Sequence, residues 1–325
     1  MLCYEFKKGE PQLVFQIKPF DNNTPISSVT LGGDITKTDK IFIAQGHRII
    51  GLTKTGKEFF KLTSALTEPI KHIEVDEVKI WTICENILNR YDDGNDAAYY
   101  MNRDKINCFI IDKFGSVFDV ILGCQDNCIR IIRGSTQLIE IPLLSPVTAI
   151  TILQSNANTL HLIVGLRNGT LTHLVVDKPT LSVQYSWSLE DKDRSSICCI
   201  KLYNLDYPTK PRVGDSLWES EVIIGREDGR LEVVCMVSGE ADEAHPEGSR
   251  GVGKGKGEGL YKPCVGFTAE LGESIMSIDC GVVNTVGCSE VRPILLYVNS
   301  HLTMYLTLFS LHLSLYICMT AHRLL

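Results

Sequence analysis

The chain has 325 residues, of which 44% are hydrophobic and 22% charged, an ordinary folded composition that excludes wholesale disorder and a membrane bundle. Its formal charge of -7 excludes a surface of clustered Lys and Arg built to neutralise phosphates, so no nucleic-acid partner is expected. Twelve cysteines are spread along it without paired Cys-x-x-Cys units: Cys124 and Cys128 are four residues apart and Cys198 and Cys199 adjacent, which is not a tetrahedral ligand set.

Met1 to Pro19 carries Glu5, Lys7, Lys8 and Glu10 and no uninterrupted apolar core, so an ordinary signal peptide is not expected and the chain is read as cytosolic with reduced thiols. Within it, Met1 to Lys8 and Gln12 to Lys18 read as two strands. Strand-like runs bounded by turn residues then group into sets of roughly one blade each, at 26 to 63, 68 to 105, 106 to 142, 146 to 188 and 196 to 271.

A repeat organises these groups. Residues Ile163-Val164-Gly165-Leu166-Arg167-Asn168-Gly169-Thr170-Leu171 share the frame apolar-apolar-Gly-x-x-[Asn/Asp]-Gly-x-Leu with Ile223-Ile224-Gly225-Arg226-Glu227-Asp228-Gly229-Arg230-Leu231. Such a frame is a buried strand, a tight turn needing positive φ, and a returning antiparallel strand. A weaker copy at Gly123-Cys124-Gln125-Asp126-Asn127 puts Asn where glycine stood, which the left-handed region tolerates. Gly123 and Gly165 are 42 residues apart, one four-stranded blade, and a degenerate copy runs from Ile41 to Ile50. The expected fold is therefore all-β, a seven-bladed WD40-like β-propeller whose first and last blades are incomplete, over residues 1–291. Gly123, Asp126, Asn127, Gly165, Asn168, Gly169, Gly225, Asp228 and Gly229 are its structural blade turns.

Two segments break the pattern. Residues 239–262 read GEADEAHPEGSRGVGKGKGEGLYK, rich in Gly and both charge signs, and are expected to be a flexible insert; Lys256 precedes Gly257 instead of Ser or Thr, so no phosphate loop is read there. The tail 292–325 is atypically apolar and, from Pro293 to His322, lacks Asp, Glu, Lys and Arg. It is read as lying outside the propeller design, with a membrane anchor and a further propeller strand as the alternatives.

No catalytic, cofactor or metal residues are assigned. There is no Gly-x-Ser-x-Gly elbow and no His-Glu-x-x-His; His72, His161 and His173 sit in strand-like runs, and Asp191 to Ser195 lacks the glycine and distal glutamate of a calcium loop. A propeller hydrolase with a channel site remains the alternative from another functional class, as does a propeller anchored to a membrane by its tail.

Several words of the sequence go beyond the repeat: Lys7-Lys8-Gly9-Glu10 with Val14-Phe15, Leu31-Gly32-Gly33, Lys40-Ile41-Phe42-Ile43-Ala44, Gly51 to Phe59, Leu66-Thr67-Glu68, Tyr99-Tyr100, Asp104-Lys105-Ile106-Asn107, Cys124-Gln125-Asp126 and Gly225-Arg226-Glu227-Asp228-Gly229. In this order they resemble the N-terminal propeller of the Bardet-Biedl syndrome 7 family of BBSome subunits, from about Leu2 to Val291. The resemblance covers neither the opening strands of that propeller nor the coiled coil and C-terminal domains beyond it, so a chain truncated at both ends is expected. It implies a non-catalytic scaffold without cofactor in a coat-like complex that moves membrane proteins to and from the cilium. The partners it implies are the Bardet-Biedl syndrome 2 and 9 proteins among other BBSome subunits, and a chaperonin during assembly. It places the chain in the cytoplasm, cilium, basal body and centrosomal region, with membrane contact only through the complex.

Overall fold

In the computed structural model the described residues are 2–7, 10–16, 24–34, 37–189, 195–203, 212–213, 216–238, 261–280, 292–298 and 302–308. All their regular structure is β. The chain divides into two compact units, residues 1–147 with 283–291 and residues 148–282 with 292–325.

The first unit opens with a two-stranded sheet, β1 (Leu2–Lys7) and β2 (Glu10–Gln16). Three four-stranded antiparallel sheets follow, each in sequence order. They are β3 (Ile26–Asp34), β4 (Lys37–Gln45), β5 (Arg48–Thr53) and β6 (Glu58–Thr63), then β7 (His72–Asp76), β8 (Lys79–Ile83), β9 (Ile87–Asp92) and β10 (Asn95–Met101). The last is β11 (Ile106–Phe114), β12 (Val117–Cys124), β13 (Cys128–Arg133) and β14 (Thr136–Pro142).

The second unit holds, from Thr148 on, β15 (Val147–Ser155), and then β16 (Thr159–Leu166), β17 (Leu171–Asp177) and β18 (Ser182–Leu189), again a four-stranded sheet. A five-stranded sheet follows, of β19 (Ile197–Tyr203), β20 (Arg212–Val213), β21 (Ser216–Arg226), β22 (Arg230–Ser238) and β23 (Tyr261–Glu270), with the short β20 paired to β21. Its final sheet has three strands, β24 (Ile275–Cys280), β25 (Arg292–Val298) and β26 (Leu302–Leu308).

The propeller architecture stands, but the count of seven blades is corrected to five. Among the described residues five sheets reach four strands; the end sheets have two and three, the first a single hairpin of β1 and β2 and the last without a fourth strand. The deficit shows in packing. Phe15 of β2 covers Gly56, where an added Cβ would fall 2.7 Å from its ring, yet Val29 and Leu31 on the first strand β3 stay 51% and 59% exposed. Strands β25 and β26 lie within the apolar tail; the tail from 309, the insert from 239 to 260 and the calcium-loop look-alike at 191–194 lie outside the described residues. Among the described residues no helix is long and apolar enough to cross a membrane.

Burial explains the strand sequences. The middle strands β8, β12, β13 and β16 are buried almost throughout, and they read as runs such as Val120-Ile121-Leu122 instead of alternating, as strands covered on both faces do. The outer strands β6 and β10 alternate between half-buried and exposed. Cores form between consecutive blades: Phe42, Ile49, Ile73 and Tyr91 join two sheets of the first unit, and Ile163, Ile197, Ile224 and Val234 join two of the second. Each such side chain contributes roughly 1.5–3 kcal/mol on leaving water. Four first strands share a further device, a register shift one residue in, at Ile26/Ser28, Ile106/Cys108, Ile197/Cys199 and Ile275/Ser277. A bulge recurring at one position re-aims the strand in the same way in each blade.

Candidate functional site

The chemistry-bearing residues gather at the turns joining the second and third strands of the blades. Asn127, Gly169 and Gly229 have φ of 61°, 85° and 84°, the left-handed conformation such a tight turn requires. Asn168 Oδ1 accepts a hydrogen bond from the Thr170 amide at 3.2 Å and Asp228 Oδ1 from the Arg230 amide at 3.0 Å, so both side chains serve the turn itself. Gly165 and Gly225, at the strand ends, serve packing: a Cβ on Gly165 would come within 2.6 Å of Ile197, and one on Gly225 within 2.6 Å of both Ile275 and Cys199. The motif glycine thus marks where the next blade's first strand crosses. Gly123 occupies the corresponding place on β12, opposite Ile129.

Asp126 does something else. Its two oxygens accept from Arg130 Nη1 at 3.0 Å and Nη2 at 2.6 Å, while Arg130 Nε donates to Glu140 Oε2 at 2.8 Å. Burial alone would lower the pKa of this guanidinium, but the two carboxylates more than offset that and raise it. In the second unit Arg226 donates through Nε to Glu232 Oε2 at 2.9 Å and through Nη1 to the carbonyls of Gly169 at 3.1 Å and Ser195 at 2.7 Å. Arg226 therefore ties the turn of one blade to the entry of the next. Sequence reasoning assigned Arg226 and Glu232 no role; the readable signal was an Arg and a Glu six apart across a hairpin turn, next to the apolar runs Val222-Ile223-Ile224 and Val233-Val234.

His161 and His173 come together across β16 and β17, with Nδ1 to Nε2 at 3.2 Å and rings stacked 5.3 Å apart; His173 also lies 5.6 Å from the Trp187 ring. Burial, and then the neighbouring His161, lower the pKa of His173 to about 4 and keep it neutral. Cys198 and Cys199 are adjacent on β19, and Cys124 ends β12 while Cys128 begins β13. Burial raises Cys84 and Cys124 to about 11 and Cys199 to about 12, leaving these thiols protonated and poorly nucleophilic near neutrality. Among the described residues no three His, Cys, Asp or Glu side chains group as metal ligands. What the arrangement does chemically is hold turns, with most buried charge spent on neighbouring backbone or on a countercharge.

Comparison with known proteins fits this geometry. A family model described as the BBS7 beta-propeller matches residues 1–294. The BBSome complex member BBS7 of Mus musculus is 30% identical over 300 residues, covering 90% of this chain and 37% of the relative. The BBSome complex member bbs-7 of Caenorhabditis elegans is 24% identical over 294 residues, covering 88% and 36%. The chain thus spans little more than a third of the length of these curated relatives. Among solved structures, the β-propeller domain of Cps50 (Swd1) superposes with a TM-score of 0.60 at 13% identity over 92% of this chain and 89% of that one. The BBS1N domain solved in complex with ARL6DN gives 0.55 at 12% identity over 85% and 76%. These two likenesses show the fold alone. With the family model matched over 294 residues, the chain belongs to the BBS7 β-propeller family.

Proposed function

We infer that this chain acts as a non-catalytic scaffold within the BBSome, offering blade surfaces and turns to other subunits in the trafficking of membrane proteins to and from the cilium. The observation that carries the reading is the family match over residues 1–294, to a family whose mouse and nematode relatives are both described as BBSome complex members. The structure supports it in a second way: the best-buried cations, Arg130 and Arg226, are engaged with carboxylates of their own blades. The Bardet-Biedl syndrome 2 and 9 proteins are the partners proposed, with a chaperonin during assembly, and the location proposed is the cytoplasm, the cilium and its basal body.

The test is affinity purification of the tagged chain from ciliated cells, beside a version ending at Val291, with mass spectrometry of what copurifies. Recovery of BBSome subunits by both versions supports a docking module for which the tail is dispensable. Recovery of chaperonin alone overturns the reading of an assembled subunit.

A further inference from the structure

The sheet of β7 to β10 has β10 as its outermost strand, and no strand among the described residues pairs with that outer edge. Beside it lies an open groove of about 430 Å³ within the first unit, lined by Leu66, Asn89, Asp96, Ala97, Tyr99 and Ser135 among others.

Three features of this groove belong together. The ladder to β9 shifts between Asp96 and Ala98, so Ala97 is the extra residue of a bulge and its peptide groups are left out of the ladder. Tyr99 presents an apolar ring, 43% exposed, while its amide already reaches outward to donate to Ser135 Oγ at 3.3 Å. Asp96 is the one acidic side chain in the lining, which holds no Lys or Arg. Its Oδ1 accepts from Asn89 Nδ2 at 3.0 Å, and no cation among the described residues pairs with it.

We propose that this groove docks an extended polypeptide segment of a partner, one that carries a Lys or Arg against Asp96 and an apolar side chain against Tyr99, running along the β10 edge. The occupant's chemistry follows from the lining. A carboxylate with no countercharge among the described residues, beside an outward-facing edge, selects a cation attached to a backbone, since edge N–H and C=O groups are matched only by another peptide chain. A charged side chain at the rim contributes selectivity and association rate more than raw affinity, so the sign of the ligand's charge is the decisive variable. The inference deepens the scaffold reading by naming one of its docking surfaces, and it rests on that reading for its biological setting.

The experiment is fluorescence anisotropy with the whole purified chain and two labelled hexapeptides of alternating threonine and valine, one with arginine at its third position and one with glutamate there. The arginine peptide is expected to bind at least tenfold more tightly than the glutamate peptide. Asp96→Asn is expected to weaken it about fivefold or more with thermal melting unchanged, because this exposed side chain keeps an Oδ1 to accept from Asn89, and Asp96→Lys is expected to reverse the preference at some cost in melting temperature, because it removes that acceptor. Equal binding of the two peptides, no binding of either, or displacement of the arginine peptide by arginine amide at the same concentration as by unlabelled peptide would each overturn the proposal. Failure here alongside recovery of BBSome subunits in the copurification would remove the groove and leave the scaffold standing.

Discussion

Arg130 and Glu232 occupy the same position of two blades, Arg130 opposite Leu122 and Glu232 opposite Ile224, each one residue past the partner of a motif glycine, yet they carry opposite charge. Each is satisfied differently. Arg130 is 1% exposed, but its carboxylates on Asp126 and Glu140 are 26% and 32% exposed and still touch water. Glu232 and its partner Arg226 are sealed, at 2% and 0%.

Removing a partner should therefore cost unequal amounts. Glu232→Gln removes a sealed carboxylate from a fully buried guanidinium, and is expected to destabilise by about 3–5 kcal/mol. Glu140→Gln leaves Arg130 with Asp126 and with water at the rim, and is expected to cost only about 1 kcal/mol. Chemical denaturation of the two variants beside the parent decides it, and equal losses would show that sealing is not what matters.

The blade glycines separate backbone conformation from crowding. Gly229 has φ of 84° and its added Cβ would lie 2.6 Å from the amide nitrogen and carbonyl oxygen of Glu273; Gly115 has φ of 60° and nothing within 4 Å. Gly115→Ala is expected to cost about 1–2 kcal/mol, the left-handed penalty alone. Gly229→Ala meets rigid backbone as well and should cost at least about 2 kcal/mol more, read as a lower melting temperature.

Most of the blade frame was legible because it is written locally. Asn127, Gly169 and Gly229 stand where a turn needs positive φ, and apolar runs such as Val120-Ile121-Leu122 sit where a strand is covered on both faces. What was not legible depends on contacts distant in sequence. Arg226 reaches Gly169 from 57 positions away, and Tyr99 reaches Ser135 from 36, so neither the turn tie nor the groove has a local signature. The blade count failed for a related reason: a run can look like a strand without showing how many others will pair with it.

The exposed first strand carries a prediction of its own. Val29 and Leu31 lie half uncovered on β3 beside a sheet of only two strands. Leu31→Thr is expected to change stability by less than about 0.5 kcal/mol, because little burial is lost. It should also reduce self-association at high concentration, because an apolar patch next to a strand is lessened. Light scattering across a concentration series, paired with a thermal melt, checks both; a large drop in melting temperature would mean that this face is covered in solution.

Two buried groups set opposing responses to pH. Burial pushes Glu221 up to about 7, so between 4.5 and 7 the folded chain holds a proton that the unfolded chain releases, and stability falls as pH rises through that window. His173, lowered to about 4 against 6.5 unfolded, does the reverse: its contribution is complete above 6.5 and is lost as pH falls toward 4. Each is worth up to about 3 kcal/mol at 1.36 kcal/mol per pKa unit, so between 4.5 and 6.5 they largely cancel. Glu221→Gln should therefore turn the nearly flat profile of the parent from pH 5 to pH 6.5 into a gain in stability, and His173→Gln should turn it into a loss. Any fixed penalty from losing the packing of His173 on Trp187 shifts the whole curve without altering its slope, so denaturant midpoints at pH 5, 6 and 7 isolate the titration. Parallel slopes in all three proteins would mean that both groups are solvated in the folded chain.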